Sequence, residues 1–273
     1  MEKEIEDELH LKYNPDGSDL RRIQLRVLEI LKIIDSICKK HDILYWLEGG
    51  ALLGAVRHGG FIPWDDDIDI QILRKDRKKL KKILLEELPC DFILQTPEDN
   101  IDFRGKMMKV RDIKSIVKSI YISEDKYVYK GVFVDIFTMD YVNPLNYIVY
   151  KCSRCKNNIS KSMSKQNKTM IRRRFFTGSI LNCFFEVIYK ILAVLGSVKF
   201  SNKLTYEKGQ VFGGGIFDCN DIFPLSTVLF EGFEFNAPGN IDNFLNVTFG
   251  PEYMIIPDEE NRNNHTLSVE FFD

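Results

Sequence analysis

Several features are scarce in this sequence, and each scarcity excludes something. The first ten residues, MEKEIEDELH, hold five acids and one lysine. A secretory signal needs a basic start and an apolar run, so this beginning predicts a cytoplasmic protein. The most apolar stretch, residues 175–200, carries Glu186 and Lys190 inside it. A transmembrane helix needs about 20 largely uncharged apolar residues, so a full span is not expected. Zinc-type spacing is nearly missing. The six cysteines stand at 38, 90, 152, 155, 183 and 219, and only Cys152 and Cys155 form a CxxC. With no second CxxC and no HxxxH, they read as reduced thiols rather than a zinc site. Charge of one sign is not in excess either: the net charge is −2, which argues against a nucleic-acid partner. No internal repeat or low-complexity tract occurs.

What is present is a globular composition, 44% hydrophobic over 273 residues, enough for one large domain or two modest ones. Residues 19–41 place Leu20, Ile23, Val27, Leu31, Ile34 and Cys38 at helical spacing, behind the turn and capping residues Asp16, Gly17 and Ser18. A short strand over 45–50, a short helix over 51–60, a two-faced strand over 67–72 and an amphipathic helix over 76–88 follow. Further strands are expected at 91–96, 105–112, 115–123 and 131–140. Strands and helices mix without strict alternation, which predicts an α/β or α+β sheet covered by helices. The divisions expected are an acidic N-terminal extension (1–18), a core (19–144), a basic and apolar helical insertion (145–201) and a C-terminal part packing back on the core (202–273). Residues 151–174 contain nine Lys or Arg and no acid. Followed by the apolar stretch, they suit either peripheral contact with an anionic membrane through 151–200 or a helical hairpin that covers the sheet.

The most unusual stretch is GGFIPWDDDIDI, residues 59–70. Asp65, Asp66, Asp67 and Asp69 fall within five positions, beside isoleucines that favour burial. Carboxylates so close repel by roughly 1 kcal/mol per pair in water at about 4 Å, and by more inside a protein. In a strand, Asp67 and Asp69 project to one face while Ile68 and Ile70 point to the core. Held together at a strand end, they need a cation, and an oxygen-only set suits Mg²⁺ or Mn²⁺. A third carboxylate is expected from a neighbouring strand. Asp135, alone among Val132, Phe133, Val134, Ile136 and Phe137, is the candidate, because an unpaired buried Asp is costly. Asp65 and Asp66 read as residues that cap or orient the turn. Gly49 and Gly50 lead from strand to helix, where backbone N–H groups can hold a phosphate. Arg57 and His58 end that helix and either face an anionic substrate or, for His58, simply suit the helix dipole. Trp46, Trp64 and Tyr45 read as core residues, with an ammonium-binding aromatic box as the alternative.

The Gly-Gly turn followed by Asp-Ile-Asp-Ile resembles the signature of the nucleotidyltransferase-fold superfamily. The longer run LEGGALLGAVRHGGFIPWDDDIDI, residues 47–70, resembles the LicD family of phosphotransferases, which is similar to the fukutin group. KVRD followed by GVFVDIF resembles the family's middle region. FEGFEFNAPGNIDNFLNVTFGPEYMIIP, with Arg262 and His265 beyond it, resembles its C-terminal region. Ala51 departs from the pattern, which often has Thr or Ser after the glycines. The resemblance implies a mixed sheet flanked by helices. It also implies transfer of a substituted phosphate from a CDP-linked donor, such as CDP-choline, to a glycan or lipid-linked glycan hydroxyl. By it, Asp67, Asp69 and Asp135 would hold one or two Mg²⁺ ions, with Asp135 alternatively a general base. Gly49 and Gly50 would cradle donor phosphates, with Arg57 and Lys109 adding charge; Lys109 is otherwise a solvent-facing strand residue. A nucleotidyltransferase with another acceptor, and a non-catalytic membrane-surface protein keeping the fold, are the alternatives.

Overall fold

The structure is a computed structural model that describes residues 3–99, 103, 107–120, 127–143, 194–195, 197–207, 215–262 and 265–272. The basic and apolar insertion, including Cys152, Cys155 and Cys183, therefore lies almost wholly outside the described residues. Among the described residues no helix is long and apolar enough to cross a membrane, and Cys38, Cys90 and Cys219 are free thiols.

Helix α1 (Lys3–Tyr13) precedes the long helix α2 (Asp19–Lys40). Ser18 caps α2 by accepting from the Arg21 N–H, and Ile23, Val27, Leu31, Ile34 and Cys38 are buried along one face, as their spacing predicts. Within the acidic N-terminal extension, α1 is anchored in the core by Leu9. Then come β1 (Tyr45–Glu48), α3 (Gly49–His58), β2 (Ile68–Leu73), α4 (Arg74–Glu87), β3 (Phe92–Gln95), β4 (Met108–Asp112), β5 (Ser115–Ser119) and β6 (Phe133–Tyr141). The C-terminal part supplies β7 (Lys203–Tyr206), β8 (Ile216–Asp218), α5 (Cys219–Ile222), β9 (Ser226–Phe230), β10 (Phe233–Ala237), α6 (Ile241–Phe249) and β11 (Thr266–Phe271).

The main sheet runs β1-β2-β6-β4-β3, and β7 extends it from β6 towards β8. β2 and β6 are parallel; β1, β4 and β7 pair antiparallel to their neighbours. The class is α+β, with a mixed sheet flanked by helices. One face is apolar: Leu47, Ile70, Ile136 and Met108 share a row and are buried. Helices α2 and α4 cover this face, since Tyr45 donates to Asp35 of α2 at 2.6 Å and Arg77 of α4 donates to Thr138 at 3.1 Å. β5 lies apart from the main sheet and pairs with β11; the last three residues of the expected strand, 121–123, lie outside the described residues.

Candidate active site

The opposite face of the sheet carries the chemistry. Residues in register on neighbouring strands share a face. Glu48 of β1 pairs with Asp69 of β2, Asp69 with Asp135 of β6, and Asp135 with Lys109 of β4. Four strands therefore present one row, three carboxylates and an ammonium. Asp67 stands just before β2 and reaches the same cavity. That cavity, of about 430 Å³, is lined by Asp66, Asp67, Asp69, Asp135, Lys109 and His265 together with apolar and aromatic side chains.

Lys109 Nζ lies 2.8 Å from each Asp135 oxygen and 3.4 Å from the Phe133 ring centroid. Burial pushes the Asp135 carboxyl up, with Lys109 opposing. Burial, then the charges of Asp67 and Asp135, hold Asp69 well above the usual carboxylate range. Glu48 is the most enclosed of the row. Its Oε1 accepts from the Tyr206 hydroxyl, its buried Oε2 has no hydrogen-bond partner, and burial first of all raises its pKa to about 7. These are acids kept close against their electrostatic preference. An all-oxygen set in surplus over one ammonium, with an orphaned buried oxygen, fits a hard divalent cation.

The loop before β2 is pinned from several sides. Gln24 of α2 donates to the Asp65 carbonyl at 2.8 Å. At the β9–β10 turn, Glu231 Oε1 accepts from the Phe61 N–H at 3.2 Å while Oε2 pairs with Arg21 at 2.7 Å. Asp66 accepts from the backbone N–H of His265 at 3.0 Å. The His265 ring lies 3.6 Å from Asp66 and 3.5 Å from Asp67. These acids raise the imidazole to about 11 against its burial. Burial would lift Asp66, but hydrogen bonds from His265 and Thr266 outweigh it and hold that carboxyl down. The segment beginning at His265 thus closes the cavity wall from the far end of the chain.

Gly49 has φ +56°, a left-handed conformation, and a Cβ there would sit 3.5 Å from Asp69 Oδ2. At Gly50 a Cβ would stand 2.3 Å from Asp65 Oδ2. The glycines let two carboxylates approach the start of α3, where the helix dipole favours negative charge.

The structure brings Asp67, Asp69, Asp135 and Lys109 into one cavity. It does not bring Arg57 and His58 there. Buried Arg57 donates to the carbonyls of Tyr253 and Ile255 at 3.0 and 3.2 Å and to the His58 ring at 2.9 Å. His58 Nδ1 meets Glu6 of α1 at 2.8 Å. Both hold the N- and C-terminal segments against α3. Gly49 and Gly50 lie at the back of the acid row rather than in the cavity lining. Trp46, Trp64 and Tyr45 are core residues, as read. Glu48 and His265 join the site without having been singled out for it. Glu48, like Asp135, is an acid within an apolar strand, though it stands at the strand's end.

A family model described as LicD/FKTN/FKRP, nucleotidyltransferase domain, matches residues 42–182. The lipopolysaccharide cholinephosphotransferase LicD of Haemophilus influenzae is 30% identical over 261 residues, covering 91% of this chain and 96% of the relative. The chain belongs to the LicD family. The ribitol 5-phosphate transferase FKRP of Homo sapiens is 47% identical over 53 residues, 19% of this chain and 11% of its own length. The LicD-family match spans β1 to β6, so it contains the whole acid row.

Proposed function

We propose that this LicD-like phosphotransferase moves a substituted phosphate, phosphocholine or a close analogue, from a CDP-linked donor to a hydroxyl of a cell-surface glycan or glycolipid precursor. The observation that carries the reading is the buried row Glu48–Asp69–Asp135 with Asp67 beside it, opposed by Lys109 alone within the row. Such a surplus of oxygen donors suits a polyanionic diphosphate bridged by cations. Asp67, Asp69 and Asp135 would hold Mg²⁺ or Mn²⁺, which when bound neutralises charge on the donor phosphates. Lys109 fixes the orientation of Asp135 and keeps a positive charge at the row's end. Glu48, backed by Tyr206, holds the inner end of the row. Asp135 is alternatively the general base for the acceptor hydroxyl rather than a metal ligand; burial raises its affinity for protons, as it does that of Asp69. The relatives named for choline phosphate and ribitol phosphate transfer support the reaction class. Cytoplasmic location, with peripheral contact at the membrane where lipid-linked glycans are built, is part of the same proposal.

The test is CMP release from CDP-choline, CDP-glycerol and CDP-ribitol, with and without Mg²⁺. The native protein is compared with the double variant Asp67→Asn, Asp69→Asn. Metal-dependent release from one donor, lost in the variant, is expected. Nucleotide attachment to an acceptor without CMP release would replace this reading by a nucleotidyltransferase.

A further inference from the structure

The cavity has walls of two kinds. Carboxylates occupy one; Phe103, Tyr127, Phe133 and Val117 are prominent in the other. Phe103 and Tyr127 meet edge to face, with ring centroids 5.4 Å apart and planes at 65°. Both are buried against the rest of the protein while lining this space. Phe133 precedes Asp135 by two residues on β6, so the aromatic wall adjoins the acid row on the same face. Rings at this end already attract cations. Lys109 lies over Phe133, and the Arg111 guanidinium stands 4.6 Å from Phe133 and 5.9 Å from Tyr127.

The transferred group must fit against this wall while its phosphate faces the acids. A polyol phosphate brings several hydroxyls, each of which loses water and needs a partner; Phe103, Phe133 and Val117 supply none, and Tyr127, Ser119 and Thr266 offer one hydroxyl each. A trimethylammonium group brings methyls that pack on rings and a diffuse positive charge that ring faces attract. The carboxylates of the row add to that attraction, against the charges of Lys109 and Arg111 at Phe133 and Tyr127. We propose that Phe103 and Tyr127 form the subsite for the quaternary ammonium of a phosphocholine group, making this chain selective for choline over polyol donors. The proposal rests on the transfer reading above and names the residues that choose its donor.

Calorimetry on the full chain would compare phosphocholine with neohexyl phosphate, its isostere with carbon in place of nitrogen. Phosphocholine should bind about tenfold more tightly, or about 1.4 kcal/mol. Phe103→Leu and Tyr127→Leu, which keep apolar bulk without a ring, should remove most of that difference, and Tyr127→Phe should keep it. In the CMP-release assay, KM for CDP-choline should rise about tenfold in the leucine variants. The melting temperature of the leucine variants should stay at the native value, which an unfolded or loosened variant would not reproduce. Equal binding of the two isosteres, or native preference for CDP-glycerol or CDP-ribitol, overturns the subsite and leaves the transfer reading standing. No CMP release from any donor overturns the transfer reading and the donor selectivity that depends on it.

Discussion

Strand β6 buries two aspartates on opposite faces of the sheet, Asp135 and Asp140, and the groups around them differ in one respect. Asp140 takes both of its oxygens to Arg74, at 2.7 and 3.1 Å. Arg74 also reaches Glu207 at 3.2 Å, and Arg77 stands 3.7 Å from Glu207 while donating to Thr138. Arg77 also donates to both oxygens of Glu98 at 2.8 and 3.1 Å, so two guanidiniums meet two buried carboxylates and a half-exposed third in a planar, many-donor arrangement suited to them. Around Asp135 the carboxylates crowd: Glu48, Asp67 and Asp69 add to it, Lys109 opposes them within the row, and Arg111 and His265 oppose them from beside it. The paired cluster is complete in itself and ties α4 to β6 and β7. The acid row instead leaves Asp67, Asp69 and Asp135 lining a cavity, where a bound cation would relieve their repulsion.

The contrast is broken most severely by removing one member of the paired cluster. Arg74→Met leaves Asp140 and Glu207 buried with half their positive charge gone. Breaking a buried pair on one side costs about 3–5 kcal/mol. Urea unfolding should show a loss of that size. A variant as stable as the native protein would mean that the network contributes no more than a surface ion pair.

The same operation on the other cluster has the opposite sign for stability. Asp69→Asn removes a carboxylate whose neighbours repel it, so the metal-free protein should be as stable as the native one or more so. CMP release should instead fall by about 10²–10³, the range for losing one preorganised electrostatic contact. Parallel loss of stability and activity in Asp69→Asn would make the acid row structural and erase the distinction.

The two clusters were not equally legible. Asp67, Asp69 and Asp135 stand out locally, because an acid between isoleucines or valines conflicts with its surroundings. Lys109 was named through the family resemblance, as a charge for the donor phosphates; its own surroundings showed only a strand residue, since its partner lies 26 positions away. Glu48 carries the same local conflict as Asp135, but its place beside Asp69 depends on strand register, which short patterns do not define. His265 reaches Asp66 across 199 positions, and Arg57 is turned from the cavity by carbonyls 196 and 198 positions on. Helices α2, α3 and α4 were readable because apolar spacing and glycine or serine ends are local. The pairing of β5 with β11, which forms the cavity wall, has no such local sign. Asp140 and Arg74 went unnoticed for a related reason: satisfied charges leave no conflict to notice.

The smallest effect expected is a pH dependence that distinguishes the clusters without a substitution. Glu48, Asp69 and Asp135 hold protons more tightly folded than unfolded. Such groups add stability that is fully present below the unfolded carboxylate range, about 4, and is lost as pH rises through their folded values. For Glu48 that value is about 7, so metal-free stability should decline between about pH 5 and pH 8, by an amount on the order of 1 kcal/mol. Thermal melts at both pH values measure it. Glu48→Gln should flatten the decline below pH 7. What remains above that belongs in part to His265, whose contribution is lost as pH rises from its ordinary value towards about 11. Millimolar Mg²⁺ should restore the loss at pH 8 in the native protein and not in Asp69→Asn, because a cation and a proton answer the same excess of negative charge. If Mg²⁺ left the melt at pH 8 unmoved, the excess around Asp135 would have to be answered by substrate alone.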